Sequence, residues 1–209
     1  MLLRKGAEAN LILETWYGIK VIKKIRIPKL YRHPQLDISL RRQRTIREAH
    51  MIHDAKNAGV LTPRIFSIDV NQAMIIMEYV AGTRIKDSLN HMNPIKSKQF
   101  CIQLGKIIGK LHVHGIIHGD LTTSNIIIDP MENLILIDFG LAEYSIEVEK
   151  KGIDLHLLKR ALDSTHFQNT QEHFSHIIQG YANIIGQQTA IQVQKRVNEI
   201  AKRGRYTVK

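Results

Sequence analysis

Short apolar runs punctuated by glycine open the chain. Leu11-Ile12-Leu13 and Ile19-Lys20-Val21-Ile22 fall on either side of Gly18, and the second run alternates on toward Ile25 and Ile27. Alternation with period two predicts paired strands. Pro28 and Pro34 bracket a basic loop, and over about residues 39–58 the spacing turns helical. Strand patterns return at 65–70 and 73–80, with Asn71-Gln72 as the turn. After Gly82 the character changes. Helical periodicity runs over 93–114 through Phe100, Leu104, Ile107, Ile108 and Leu111. Two short apolar segments, 126–128 and 134–137, follow on either side of Asp129-Pro130, and 153–202 reads as helices broken near Gly186. Strands with one helix, then mostly helices, predict an α+β chain in two lobes. Residues 1–80 form the expected N-terminal lobe, an antiparallel sheet plus one helix. Residues 81–209 form a mostly helical C-terminal lobe ending in a basic tail, with the boundary near Val80 to Thr83.

Composition adds little to this: 44% hydrophobic and 23% charged residues are those of an ordinary globular protein. No apolar run approaches the ~20 residues that cross a bilayer, and Met1-Leu2-Leu3-Arg4-Lys5-Gly6 is not a signal-peptide pattern. A cytoplasmic location without a membrane partner is expected. The one cysteine, Cys101, excludes an internal disulfide and reads as a packed residue. Charge matters more. A formal net charge of +11 favours a polyanionic partner. Arg41, Arg42, Arg44 and Arg47 cluster on the first helix, and Lys195, Arg196, Lys202, Arg203, Arg205 and Lys209 crowd the C-terminus. Such clusters can track the phosphates of a nucleic acid without reading sequence. The alternative is a solvated surface.

The strongest chemical signal is His118-Gly119-Asp120-Leu121-Thr122-Thr123-Ser124-Asn125, followed by Asp138-Phe139-Gly140. It matches the kinase catalytic loop H-x-D-L-x-x-x-N and the D-F-G metal motif. Seven identities at set offsets arise by chance at roughly 10⁻⁹ per start position, which removes coincidence as an explanation. In this pattern Asp120 accepts the hydroxyl proton and orients the nucleophile. Asn125 and Asp138 supply hard oxygen ligands of the kind Mg²⁺ prefers, and the ions offset charge on the phosphates of ATP. His118 reads as a packed loop anchor. His112 and His114 lack the companions of a metal site.

Ile75-Ile76-Met77-Glu78-Tyr79-Val80-Ala81-Gly82 looks like a kinase hinge, with Met77 at the back of the pocket and the backbone of Glu78 and Val80 holding adenine. The pattern also needs a strand lysine paired with a helix glutamate, for which Lys24 (or its neighbour Lys23) and Glu48 are candidates. Gly6 is a weak phosphate cradle.

These residues resemble one branch of kinases, the small kinase of the KEOPS complex, or PRPK family, over essentially the whole length. The specific matches are Gly6-Ala7-Glu8-Ala9 in place of a glycine-rich loop, Lys24 through Pro34 with its K-x-R-x-P-K-x-Y-R pattern, and Arg44-Thr45-Ile46-Arg47-Glu48-Ala49. His118 through Asn125, Leu162-Asp163-Ser164-Thr165-His166 and Arg203-Gly204-Arg205 complete them. The resemblance places the phosphate lysine at Lys24. It implies a Ser/Thr kinase-like activity with ATP hydrolysis, in support of threonylcarbamoyladenosine formation on tRNA. It also implies two partners, the complex's transferase subunit and a small regulatory subunit. Departures from ordinary protein kinases are Gly119 in place of the usual Arg, Thr122 where a lysine is usual, and no A-P-E sequence after Gly140. Asp154 is a candidate to brace the catalytic loop from below. Two other readings are a kinase-fold scaffold with vestigial chemistry and a RIO-type kinase. The intact set of Lys24, Glu48, Asp120, Asn125 and Asp138 weighs against the first, and Thr122-Thr123-Ser124 against the second.

Overall fold

The computed structural model describes residues 2–6 and 8–205. Among them, β1 (Leu2–Lys5), β2 (Ala9–Trp16), β3 (Ile19–Arg26), β4 (Ile65–Asp69) and β5 (Met74–Glu78) form an antiparallel sheet in the order β1-β2-β3-β5-β4. The β2–β3 hairpin closes on Tyr17 (φ 47°) and Gly18 (φ 81°). Two left-handed residues make the tight turn whose twist suits a hairpin. In β3 the alternation predicted from Ile19 onward puts Lys24 and Arg26 on a buried face, whereas Lys23 is partly exposed.

The first helix, α1 (Pro34–Asn57), starts earlier than the expected residue 39, with Pro34 in its first turn. Proline is tolerated there because the first N–H groups of a helix have no intrahelical partner. Its buried positions Thr45, Glu48, Ala49, Met51, Ile52 and Ala55 follow helical spacing and face the sheet and the lobe beneath.

From Thr83 the chain is mostly helical: β6 (Thr83–Arg84), α2 (Ile85–Ser88), α3 (Pro94–Val113), β7 (Ile116–Ile117), β8 (Ile126–Ile128), β9 (Leu134–Leu136), β10 (Glu143–Tyr144), α4 (Val148–Thr165), α5 (Thr170–Ile185) and α6 (Gln187–Arg205). Helices α3 and α5 pack backbone to backbone. A Cβ on Gly105 would lie 1.9 Å from the Ile177 carbonyl oxygen, and one on Gly180 would lie 2.0 Å from that of Ile102. Phe100, Leu104, Ile108, Leu111, Leu155, Leu158, Ile177, Tyr181 and Val193 are buried together. Two small ladders, β6-β8-β9 and β7-β10, frame the loops between α3 and α4.

The break expected near Gly186 is present, with Gly186 at φ 88°. A second break, between α4 and α5, was not expected. There His166 Nδ1 bonds Asn90 Oδ1 at 2.6 Å while Asn90 Nδ2 donates to the Thr165 carbonyl at 3.1 Å, so a contact from distant sequence ends the helix. Cys101 is buried as expected, and burial pushes its thiol up to about 12. No helix among the described residues is long and apolar enough to cross a membrane. The two-lobed α+β architecture with a small helical lobe is the one expected from the pattern.

Candidate active site

Strand β3 delivers Lys24 into the interior, where Nζ meets Glu48 Oε1 at 2.5 Å and Asp138 Oδ1 at 2.7 Å. Lys23 points elsewhere, 3.8 Å from Glu14 across the hairpin, so Lys24 is the lysine that meets Glu48. Burial opposes the Lys24 charge, but Glu48 and Asp138 outweigh it and hold its pKa above the usual value. Burial likewise opposes charge on Asp138, and the Lys24 ammonium with the Gly140 N–H overcomes it, keeping the carboxyl below its usual range.

Sequence reasoning missed Arg26. Its guanidinium is buried and donates to Glu48 Oε2 at 2.6 Å, so each oxygen of Glu48 holds one cation. The signal was available in outline: two residues beyond Lys24 on a strand, Arg26 must share its face. Its partner lies 22 residues away on α1, which spacing alone does not reveal.

The loop from β7 to β8 presents Asp120 and Asn125. Asn125 Nδ2 donates to both the Asp120 carbonyl oxygen and Asp120 Oδ2, each at 2.9 Å. These two acceptors orient the amide, so its Oδ1 is turned away from them. Beneath the loop, buried Asp154 accepts the His118 N–H at 2.7 Å and the Gly119 N–H at 2.8 Å, and it also meets His112 Nε2 at 3.3 Å. This is the brace expected from its place in the sequence. Burial opposes ionisation of Asp154, yet its hydrogen bonds and His112 hold its pKa below the usual range. Gly119 sits at φ 78°, where a Cβ would come within 2.4 Å of the Leu141 carbonyl oxygen. The arginine usual at this position therefore has no room.

His118 is fully buried, with its ring 4.7 Å from that of Phe139. Its Nδ1 accepts the Asp120 N–H at 3.3 Å, which puts the proton on Nε2 for donation to the Ile137 carbonyl. Burial lowers its pKa despite the nearby aspartates, so it stays neutral and anchors the loop. Phe139 is sealed in the core while Asp138, at φ 63°, faces the cleft. That left-handed conformation costs an aspartate about 1 kcal/mol, which its bonds to Lys24 and Gly140 offset.

A cavity of about 450 Å³ meets Gly6, Lys24, Asp120, Asn125 and Asp138, together with Glu8, Arg26, Thr122 and Ser124. Its walls do not extend to Met77, Glu78 or Val80. Met77 is buried in β5, and Val80 lies just past its end. The Glu78 N–H is committed to the Arg64 carbonyl at 2.8 Å, which leaves only its carbonyl for a ligand. Among the described residues no cluster of three or more His, Cys, Asp and Glu side chains could hold a metal. His112 bonds the Tyr181 hydroxyl through Nδ1 at 2.9 Å and faces Asp154 through Nε2.

The basic clusters are less free than the sequence suggested. Arg41 pairs with Asp37, Arg44 with Glu8, Arg196 with Glu149 and Glu199, and Arg203 with Glu149, while Arg42 bonds Asn71. Among the described residues Arg47, Lys195 and Lys202 have no such partner. Ala7 and Lys209 lie outside the described residues.

A buried lysine–glutamate pair, a braced Asp-to-Asn loop and an inward-packed Asp-Phe-Gly around one cleft define a protein-kinase domain, and the protein kinase domain family model matches residues 13–195. Within that class the chain belongs to the family of the KEOPS complex subunit Bud32. It is 43% identical to the KEOPS complex subunit Bud32 of Pyrococcus abyssi, over 98% of this chain and 96% of that one. It is 45% identical to a probable bifunctional tRNA threonylcarbamoyladenosine biosynthesis protein of Methanothermobacter thermautotrophicus. That match covers 99% of this chain but 36% of the longer protein. Among solved structures, the Rio2 kinase of Chaetomium thermophilum, in its ADP/Mg²⁺-phosphoaspartate complex, superposes with a TM-score of 0.66 over 95% of this chain and 70% of that one. Its 15% identity makes it a likeness of fold alone. The RIO-type reading gives way to the Bud32 family.

Proposed function

We propose that the chain binds Mg-ATP in the cleft and hydrolyses or transfers its γ-phosphate, as the kinase subunit of a KEOPS complex that supports threonylcarbamoyladenosine formation on tRNA. The observation that carries this reading is the convergence of Lys24, Asp120, Asn125 and Asp138 on one cavity, with Glu48 bonded to Lys24 behind them.

In this reading Lys24, aimed by Glu48, holds the α- and β-phosphates. Gly6 lets the turn before β2 approach them, because a Cβ there would sit 2.8 Å from the Ala9 carbonyl. Met77 backs the adenine site, with the Glu78 carbonyl and the Val80 backbone at the edge of the base. The donor set suits a hard cation: Asn125 Oδ1 is turned away from Asp120, and Asp138 Oδ2 remains after Oδ1 takes Lys24 and the Gly140 N–H. Bound Mg²⁺ would supply neutralisation of the phosphate charges. Asp120, oriented by Asn125, accepts the proton of the attacking hydroxyl or water.

Residues 141–147 are all that separate Gly140 from α4, so a peptide-docking segment has little room. This favours water, or a residue of the chain itself, over generic peptides as acceptor. The long relative named for threonylcarbamoyladenosine biosynthesis carries a kinase-like third beside other sequence in one polypeptide. That fusion supports contact between this chain and the transferase subunit. The small regulatory subunit and tRNA complete the proposed assembly, the latter through Arg47, Lys195, Lys202 and the tail.

The test is ATP turnover by the chain alone, with the transferase subunit, and with tRNA added, alongside Asp138→Ala. Mg²⁺-dependent turnover that this variant loses while keeping its fold is expected. Turnover at the wild-type level in Asp138→Ala would overturn the mechanism. Failure of the wild type to bind Mg-ATP in a calorimetric titration would leave a docking scaffold in its place.

A further inference from the structure

Six charges alternate in sign from the N-terminal lobe to Asp138, and Lys24 with Glu48 supplies only two of them. Arg44 on α1 meets Glu8 at 2.6 Å, and Glu8 lies 3.7 Å from Arg26. Arg26 meets Glu48 at 2.6 Å, Glu48 meets Lys24 at 2.5 Å, and Lys24 meets Asp138 at 2.7 Å. The series runs from the surface of α1, through the turn before β2, to the aspartate of the Asp-Phe-Gly motif. Glu8 and Arg26 both line the cleft cavity.

The position of Glu8 needs an explanation. A carboxylate at the mouth of a triphosphate site opposes the ligand electrostatically, and this one is half exposed, with 48% of its side-chain surface open. Burial works against its ionisation, but Arg44, Arg26 and Arg32 together keep it charged. The turn that carries it has one glycine, Gly6, and so cannot wrap phosphate in a run of flexible backbone N–H groups. It is held instead by bonds: Gly6 N–H to the Ala9 carbonyl at 3.0 Å, Ile27 N–H to the Glu8 carbonyl at 3.2 Å, and the two arginines on the Glu8 side chain. Arg26 is almost wholly buried and also donates to the Arg44 carbonyl at 3.3 Å, so it joins β3, α1 and the turn in one contact.

We propose that Glu8, clamped between Arg26 and Arg44, is a latch that seats the turn over the nucleotide, and that Arg26 is the positioning residue linking this latch to the Lys24–Glu48 pair. This rests on the Mg-ATP reading above. A turn tied to β3 and α1 through Glu8 takes over the task that flexible glycines perform elsewhere. Closure of the turn and the aim of Lys24 then become one equilibrium.

The latch and simple charge repulsion predict opposite signs. Glu8→Gln removes a negative charge near the phosphates, so repulsion alone predicts tighter ATP binding. The latch predicts weaker binding: KM for ATP and the calorimetric Kd of Mg-ATP should rise roughly fivefold, the worth of a partly exposed ion pair, while kcat stays within about twofold because the interaction is uniform binding. Arg44→Gln should give a similar rise, and the double variant Glu8→Gln/Arg44→Gln should be no worse than either single one. Both side chains are partly exposed, so these variants should fold. Arg26→Gln should lower kcat as well as raise KM, and Arg26→Lys should recover part of each. Unchanged or tighter ATP binding in Glu8→Gln, or additive effects in the double variant, would overturn the latch while Mg-ATP binding by the wild type upholds the function. Absence of wild-type Mg-ATP binding would overturn both.

Discussion

Asp154→Asn keeps the shape of the catalytic-loop brace and alters its charge and one acceptor. The carboxylate is fully buried and accepts two backbone N–H groups, from His118 at 2.7 Å and Gly119 at 2.8 Å, one on each oxygen. An asparagine offers one oxygen and one NH₂, so in either orientation one of these N–H groups faces another donor. Losing a hydrogen bond to a charged acceptor and stranding a buried N–H costs about 3 kcal/mol. For a chain of this size each kcal/mol lowers Tm by about 2–4 °C, so a fall of roughly 6–12 °C is expected by circular dichroism near pH 7.5. ATP turnover should fall more steeply than folded protein does, on the order of 100-fold, because a displacement near 1 Å at the reacting groups has that effect. Acidification gives a second reading. The folded carboxyl sits below its usual range, so its contribution is present above the unfolded value of about 3.9 and is lost as pH falls through the lower folded one. The wild type should therefore lose its advantage over Asp154→Asn in strong acid. A Tm within about 2 °C of wild type near pH 7.5 would refute the brace, since no redistribution of hydrogen bonds replaces both acceptors.

Other perturbations probe different parts of the molecule. Gly105→Ala would force a Cβ to 1.9 Å from the Ile177 carbonyl oxygen and should cost about 3 kcal/mol, read as a lower urea midpoint; an unchanged midpoint would deny the backbone-to-backbone packing of α3 on α5. Burial lowers the pKa of His118, His166 and His173, so the unfolded chain protonates first. Their contribution is complete above about pH 6.5 and declines as pH falls toward the folded values, and Tm should drop between pH 7.5 and 5.5, where a flat profile would contradict it. Removing residues beyond Ala201 deletes Lys202, Arg203, Arg205 and Lys209 and should weaken tRNA association, lowering its log–log salt slope by about 1–3; an unchanged slope would exclude the tail from the interface.

Much of the site was legible because its residues lie close together in the chain. Asp120, Asn125 and Asp138 fall within one loop–hairpin unit, so their offsets already imply a shared location. Even the brace at Asp154 could be anticipated from the helical pattern that follows. The choice between Lys23 and Lys24 was less secure, since adjacent strand residues face opposite ways. The family resemblance chose Lys24, and the fold brings that residue to Glu48 while Lys23 lies near Glu14. The freedom of the basic clusters was overestimated for a related reason. Arg44 and Arg203 find acids 36 and 54 residues away, and composition does not report such pairings.

Local order was therefore written in the chain itself: alternation in the strands, helical spacing around the core, and a catalytic loop of set length. Those features depend on neighbours a few residues apart, whose geometry the backbone dictates. What folding alone decided is which distant charges meet. Arg26 and Glu8 acquire their places between Glu48 and Arg44 only when the hairpin, the turn and α1 close on one another, and α4 ends at Thr165 where Asn90, from the segment between α2 and α3, bonds the Thr165 carbonyl and His166. A contact across tens of residues depends on how whole elements pack, and no window along the sequence contains it.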